Sequence, residues 1–180
     1  AYEALRSRHY DAAVSLFLEA IEAAPERAAV RRDLAYTYLK IGENELAREQ
    51  FREAVRLELS NHHTALEYAF LCFETGEKVQ ARRIFDRVRR EGDPKSRATA
   101  EQAFQNIDGP LAAGIARWQE AIRLGGGNFS AHYELATLAE QRDELELAAR
   151  HYEAAWRLLP DRRSVLVDLG RVWKALNRAE

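Results

Sequence analysis

Few residues in this 180-residue chain have the type and spacing that chemistry requires. His62 and His63 are adjacent, and neighbours on a helix point apart, so they do not form a metal pair. His63 and Glu67 stand four apart, but one such pair falls short of a ligand set. His9, His132 and His151 are isolated along the chain, and His132 reads as a half-buried polar spacer near a packing face. The single cysteine, Cys72, excludes an internal disulfide and a thiolate cluster. It lacks the activating partner a nucleophile needs and reads as a small core residue. Gly125-Gly126-Gly127-Asn128 has neither a strand before it nor a Lys-Ser/Thr after it, so it reads as a turn and not a phosphate loop. Arg82, Arg83, Arg87, Arg89 and Arg90 form a basic run that Asp86, Glu91 and Asp93 interrupt, the pattern of a solvated helix face. With no catalytic, cofactor or metal constellation, the chain is expected not to be an enzyme.

Composition narrows the rest. Apolar residues make up 47% of the chain, enough for a full core. The formal net charge is -2, which gives no bulk attraction to nucleic acid or anionic lipid. No apolar run approaches the roughly 18 residues that would span a membrane, and no signal segment is visible. The compartment stays open, with a soluble cytoplasmic setting favoured. The chain starts at Ala1, lacks methionine and begins partway through a pattern, so a longer parent protein is expected.

That pattern is a repeat. A small residue is followed four positions later by an aromatic, and three further on by another small residue. It occurs as Ala13/Phe17/Ala20, Ala47/Phe51/Ala54, Ala81/Phe85/Val88, Gly114/Trp118/Ala121 and Ala148/Tyr152/Ala155. The aromatics are spaced 34, 34, 33 and 34 residues apart, a period that marks a repeat protein. Positions three and four apart share one helical face, so the small residues admit a close neighbouring backbone and the aromatic fills the space beside it. One helix pair cannot bury both faces, but a stack can.

The units run approximately 1–27 (truncated), 28–61, 62–94, 95–128 (degenerate), 129–162 and 163–180 (first helix only), as one array over residues 1–180. In the degenerate unit the expected first helix is Ser96 to Ile107, the turn is Asp108-Gly109-Pro110, and the second helix is Leu111 to Leu124. Gln102 and Gln105 fall where other units place core residues. Gly114 there is expected to serve close packing, and this unit is expected to open first.

These residues resemble the tetratricopeptide repeat. Its loose pattern of large, small and aromatic residues matches Leu34, Ala35, Tyr38, Ala47, Phe51 and Ala54 in the second unit. It matches Leu135, Ala136, Ala139, Ala148, Tyr152, Ala155 and Pro160 in the fifth. The resemblance implies an all-α, right-handed α-solenoid of antiparallel helix pairs, with the first helices lining a concave groove. It also implies protein or peptide binding there.

By that family geometry, positions 2, 5, 6, 9, 12 and 13 of each unit face the groove. The residues so placed include Arg32, Asp33, Tyr36 and Lys40, then Glu67, Phe70, Phe73 and Glu74. Tyr133, Glu134 and Thr137 follow, and the last helix adds Asp168 and Arg171. The degenerate unit offers a small, smooth stretch at Ser96, Thr99, Ala100, Ala103 and Asn106. The acids Asp33, Glu67, Glu134 and Asp168 beside the aromatics suit an extended protein segment with apolar anchors and basic residues. The family's carboxylate-gripping subclass is not matched, since only Arg32 keeps the charge. The expected function is a non-catalytic binding scaffold with no cofactor, no metal and no nucleic-acid partner. Two alternatives stand: a self-association module that makes a homodimer through its ends or convex face, and a regulatory domain attached to an enzyme or a transport or secretion component.

Overall fold

The computed structural model describes residues 1–177; positions 178–180, the end of the last repeat unit, lie outside the described residues. The helices in order are α1 (Tyr2–Arg6), α2 (Tyr10–Ala23), α3 (Ala28–Lys40), α4 (Asn44–Leu57), α5 (His62–Glu74), α6 (Lys78–Glu91) and α7 (Pro94–Ala121). A π-turn (Ile122–Gly126) leads to α8 (Phe129–Gln141), α9 (Leu145–Leu158) and α10 (Arg163–Leu176). The architecture is all-α and built of helix pairs, with no strand among the described residues. No described helix is long and apolar enough to cross a membrane. The chain divides into two compact bodies, Ala1–Phe104 and Gln105–Glu180.

The repeat pattern is the core. Ala47, Phe51 and Ala54 are buried, as are Ala81, Phe85 and Val88. In the second body Ala148, Tyr152 and Ala155 are buried with Leu135, Ala136, Leu169 and Val172. In the first three units the first helix answers the buried aromatic with one of its own. Tyr2 meets Phe17, Tyr36 meets Phe51 and Phe70 meets Phe85, all edge-on, with ring centroids 5.4, 5.1 and 5.0 Å apart. This is the preferred contact of two ring quadrupoles. At the matching place in α8 stands Thr137, and there the contact becomes polar, Thr137 Oγ1 lying 3.3 Å from the Tyr152 hydroxyl.

The turns between paired helices repeat as strictly. Arg8, Gly42, Gly76 and Asp143, one per unit, take positive φ. The residue after each donates its N–H back to the carbonyl five positions earlier: His9 to Ala4 (2.8 Å), Glu43 to Tyr38 (3.0 Å), Glu77 to Cys72 (2.7 Å) and Glu144 to Ala139 (2.9 Å). This bond closes the helix end. In the degenerate unit the residue at that place is Pro110, which has no N–H to donate.

The expected turn at Asp108-Gly109-Pro110 is absent. Pro94–Ala121 is one 28-residue helix with Pro110 inside it. Asp108 is buried and does not cap a following helix; its two oxygens each lie 3.1 Å from the Arg142 guanidinium. The same continuation turns Gln102 and Gln105 outward while Ala100 and Phe104 are buried. Gly114 does serve close packing, since a Cβ there would stand 2.8 Å from Leu138 Cδ1. Trp118 is only half-buried, unlike its counterparts. In the triglycine stretch, Gly125 takes φ +93°, and Asn128 then caps α8 through its Oδ1, 2.9 Å from Ala131 N.

Candidate functional site

In residues 1–104 the predicted groove positions lie on α3, α5 and the first turns of α7. His63, Leu66, Glu67 and Phe70 of α5 face Ser96 and Thr99 of α7 across a cavity of about 460 Å³, which Asp93 and Lys95 close at one end. The cavity exists because Ser96 and Thr99 are small where the preceding unit carries His63 and Leu66. Asp93 caps α7: its Oδ1 accepts from the backbone N–H groups of Lys95 and Ser96, both at 3.1 Å. Those bonds, led by the Ser96 side chain, hold its carboxyl below the usual range. Nothing in the repeat pattern singled out Asp93, although its place directly before Pro94 is a helix-start signal.

Three rings of α3 and α5 are exposed, and Phe70 among them lines the cavity. Tyr36 is 37% exposed, Phe70 41% and Phe73 44%. Burial pushes the Tyr36 phenol up, and the nearby Glu67 charge adds to this. The Lys78 ammonium lies 5.8 Å from the centre of the Phe73 ring. Lys40 and Glu74 are exposed at the ends of α3 and α5. Arg32 pairs with Glu58, and Asp33 accepts from the Tyr2 hydroxyl. The Tyr2–Asp33 bond has a sequence signal only in hindsight: Tyr2, Tyr36 and Phe70 recur 34 apart, with an acid 31 residues beyond each.

In residues 105–180 the predicted positions are tied to one another. Tyr133 donates to Asp168 at 2.9 Å, and Arg171 reaches Asp168 at 3.0 Å. Arg171 also grips Glu140 with two bonds, 2.6 and 2.8 Å, while the Tyr152 hydroxyl donates to the same carboxylate at 2.9 Å. The Glu140 bonds raise the Arg171 guanidinium pKa. Thr137 lies against Tyr152, and Glu134 is exposed. Tyr133, Thr137, Asp168 and Arg171 thus belong to one network that joins α8, α9 and α10. Sequence spacing placed these residues on a face but did not reveal Tyr152 as their centre.

Two further sequence readings change. His132 and His151 are not isolated; their Nδ1 atoms lie 2.8 Å apart across α8 and α9. The ring centroids are 5.1 Å apart and the planes 25° off parallel. The nitrogens therefore point at one another along the line of centres, which is the geometry of a shared proton and not of two lone pairs converging on a metal. Burial, followed by the neighbouring His132 and Arg150 charges, lowers His151 to about 4. Among the described residues no group of three or more His, Cys, Asp or Glu is placed to hold a metal. The arginine run is not simply solvated either: Arg82 and Arg89 lie over the Phe104 ring, at 5.2 and 4.2 Å. Cys72 is buried, and burial pushes its thiol up to about 11.

The tetratricopeptide repeat family model matches residues 1–61 and 32–97. The chain belongs to the tetratricopeptide repeat family. No curated protein matches it. Among solved structures it is similar to the MamA protein, with TM-score 0.53 and 17% identity over 90% of this chain and 89% of that one. It is also similar to the P58(IPK) TPR domain, with TM-score 0.53 and 16% identity over 98% of this chain and 54% of that one. At these identities the likeness is one of fold.

Proposed function

We propose that this tetratricopeptide chain is a non-catalytic protein-binding module whose first-helix groove in residues 28–104 holds an extended segment of a partner protein. The observation that supports this reading is the cavity lined by Leu66 and Phe70, together with the exposed rings of Tyr36 and Phe73 on α3 and α5. Exposed aromatic side chains around a concavity are what a partner's apolar anchors need, since they supply large contact area at little entropic cost. The acids of the same face favour basic residues between those anchors.

The test uses a partner captured with the full-length gene product and then purified. Calorimetric titration against Tyr36→Ala with Phe70→Ala is expected to show at least about tenfold weaker binding. The melting profile of the variant is expected to stay cooperative. Unchanged affinity would sink the reading.

A further inference from the structure

The cavity in residues 1–104 combines an apolar floor, Leu66 and Phe70, with two carboxylates on its rim, Glu67 and Asp93. Elsewhere the chain shows what it places in such surroundings. Arg89 lies 4.2 Å from the centre of the Phe104 ring and pairs with Asp86 at 2.6 Å and Glu101 at 3.4 Å. On the first-helix face of residues 105–180, Arg171 bridges Glu140 and Asp168. At the cavity the ring and the two acids are present, and among the described residues that line it there is no arginine. Among the described residues the ion pair of Glu67 is with His63, whose Nε2 stands 3.7 Å away.

We propose that this cavity takes an arginine side chain from the partner's extended segment. The inference rests on the groove reading and adds the chemistry of one anchor. The arginine stem lies along Leu66 and Phe70, and its guanidinium reaches Glu67 and Asp93 over the Phe70 ring. A planar, weakly hydrated guanidinium stacks and pairs at once, which a lysine ammonium does less well. An apolar occupant would cover the carboxylates without partnering them, which is unfavourable, and an acidic one would be repelled. Lys95 on the rim opposes any cation and limits the affinity.

Nitrogen-15 NMR of the chain tests this with four small probes: the N-acetyl, N-methylamide derivatives of arginine, lysine, leucine and glutamate. The arginine derivative is expected to shift the amides of residues 63–70 and 93–99 saturably, and the lysine derivative to bind at least about threefold more weakly. Leucine and glutamate derivatives are expected not to saturate there. Glu67→Gln should weaken the arginine derivative about fivefold, and Lys95→Gln should tighten it about twofold. The proposal falls if leucine or lysine matches arginine, if arginine leaves both segments unshifted, or if Glu67→Gln changes nothing. If those results come while Tyr36→Ala with Phe70→Ala still loses the partner, the groove reading stands and only the arginine assignment is lost.

Discussion

His151 is the residue whose surroundings differ most from what its place in the sequence announces. In the unfolded chain a histidine takes a proton near pH 6.5, whereas in the folded chain His151 resists until about pH 4. Between those values the unfolded state binds more protons. The contribution is therefore present in full above about pH 6.5 and is lost as the pH falls toward 4. His132 shifts in the same direction, through burial. Urea unfolding at pH 7.5 and pH 5 is expected to show a lower midpoint at pH 5. The drop should shrink in His132→Ala with His151→Ile, which copies Ala65 and Ile84 from the same places in the preceding intact unit. An equal drop in that variant would remove the histidine pair as its cause. A second expectation concerns Asp108, buried against Arg142. Asp108→Ala removes two of that guanidinium's bonds and leaves it with Glu144 as an ion-pair partner; it should cost about 2 kcal/mol, below the full value for a broken buried pair because Arg142 keeps that partner and partial access to water. Thermal melting reads it.

At the scale of the element, α7 lacks the N–H that closes the other turns, and it does not fold back. Four units close their turn by donating from the residue after the left-handed one. Pro110 occupies that place in the degenerate fourth unit and cannot. Gly109 keeps the conformational freedom the turn would need, so glycine alone does not make the turn. Pro110→Glu restores the donor found in three of the other units, and the expected outcome is a positive φ at Gly109, read from carbon chemical shifts across residues 105–111. Retained helical shifts through Gly109 would show that the donor does not decide the turn. The wild-type helix also lacks the bond that residue 110 would give the Asn106 carbonyl, and Gly109 and Gly114 lower its propensity. Hydrogen exchange is therefore expected to be fastest in residues 105–127, ahead of α4 and α9. Uniform protection would contradict this.

At the scale of the whole molecule, the residues expected on the first-helix face are put to two uses, one in each body. Tyr36, Phe70 and Phe73 are exposed, whereas Tyr133, Thr137, Asp168 and Arg171 are joined through Glu140 and Tyr152. Substitutions in the two sets should separate in their effects. Arg171→Leu is expected to lower stability by about 1 kcal/mol, discounted for the exposure of the guanidinium, and to leave partner affinity unchanged. Tyr36→Ala with Phe70→Ala should lower partner affinity at least about tenfold, in addition to the stability lost with their edge-on contacts to Phe51 and Phe85. Melting curves and calorimetry on the same variants decide between this division and a single continuous surface.

The sequence by itself determined the helix-pair repeat, because a fixed period of small and aromatic residues at helical spacing permits one kind of packing. Leu34, Ala35, Ala47, Phe51 and Ala54 were legible as core for that reason, and all are buried. The family resemblance put Glu67, Phe70, Ser96 and Thr99 among the expected groove positions, and all four line one cavity. Tertiary structure alone decided which polar groups meet. Residues far apart along the chain, such as His132 and His151 or Asp108 and Arg142, pair only once helices are docked, and no local pattern encodes that distance. It also decided that Asp108-Gly109-Pro110 continues a helix, where composition reads as a turn. The four turns that form carry a backbone hydrogen bond whose donor proline lacks.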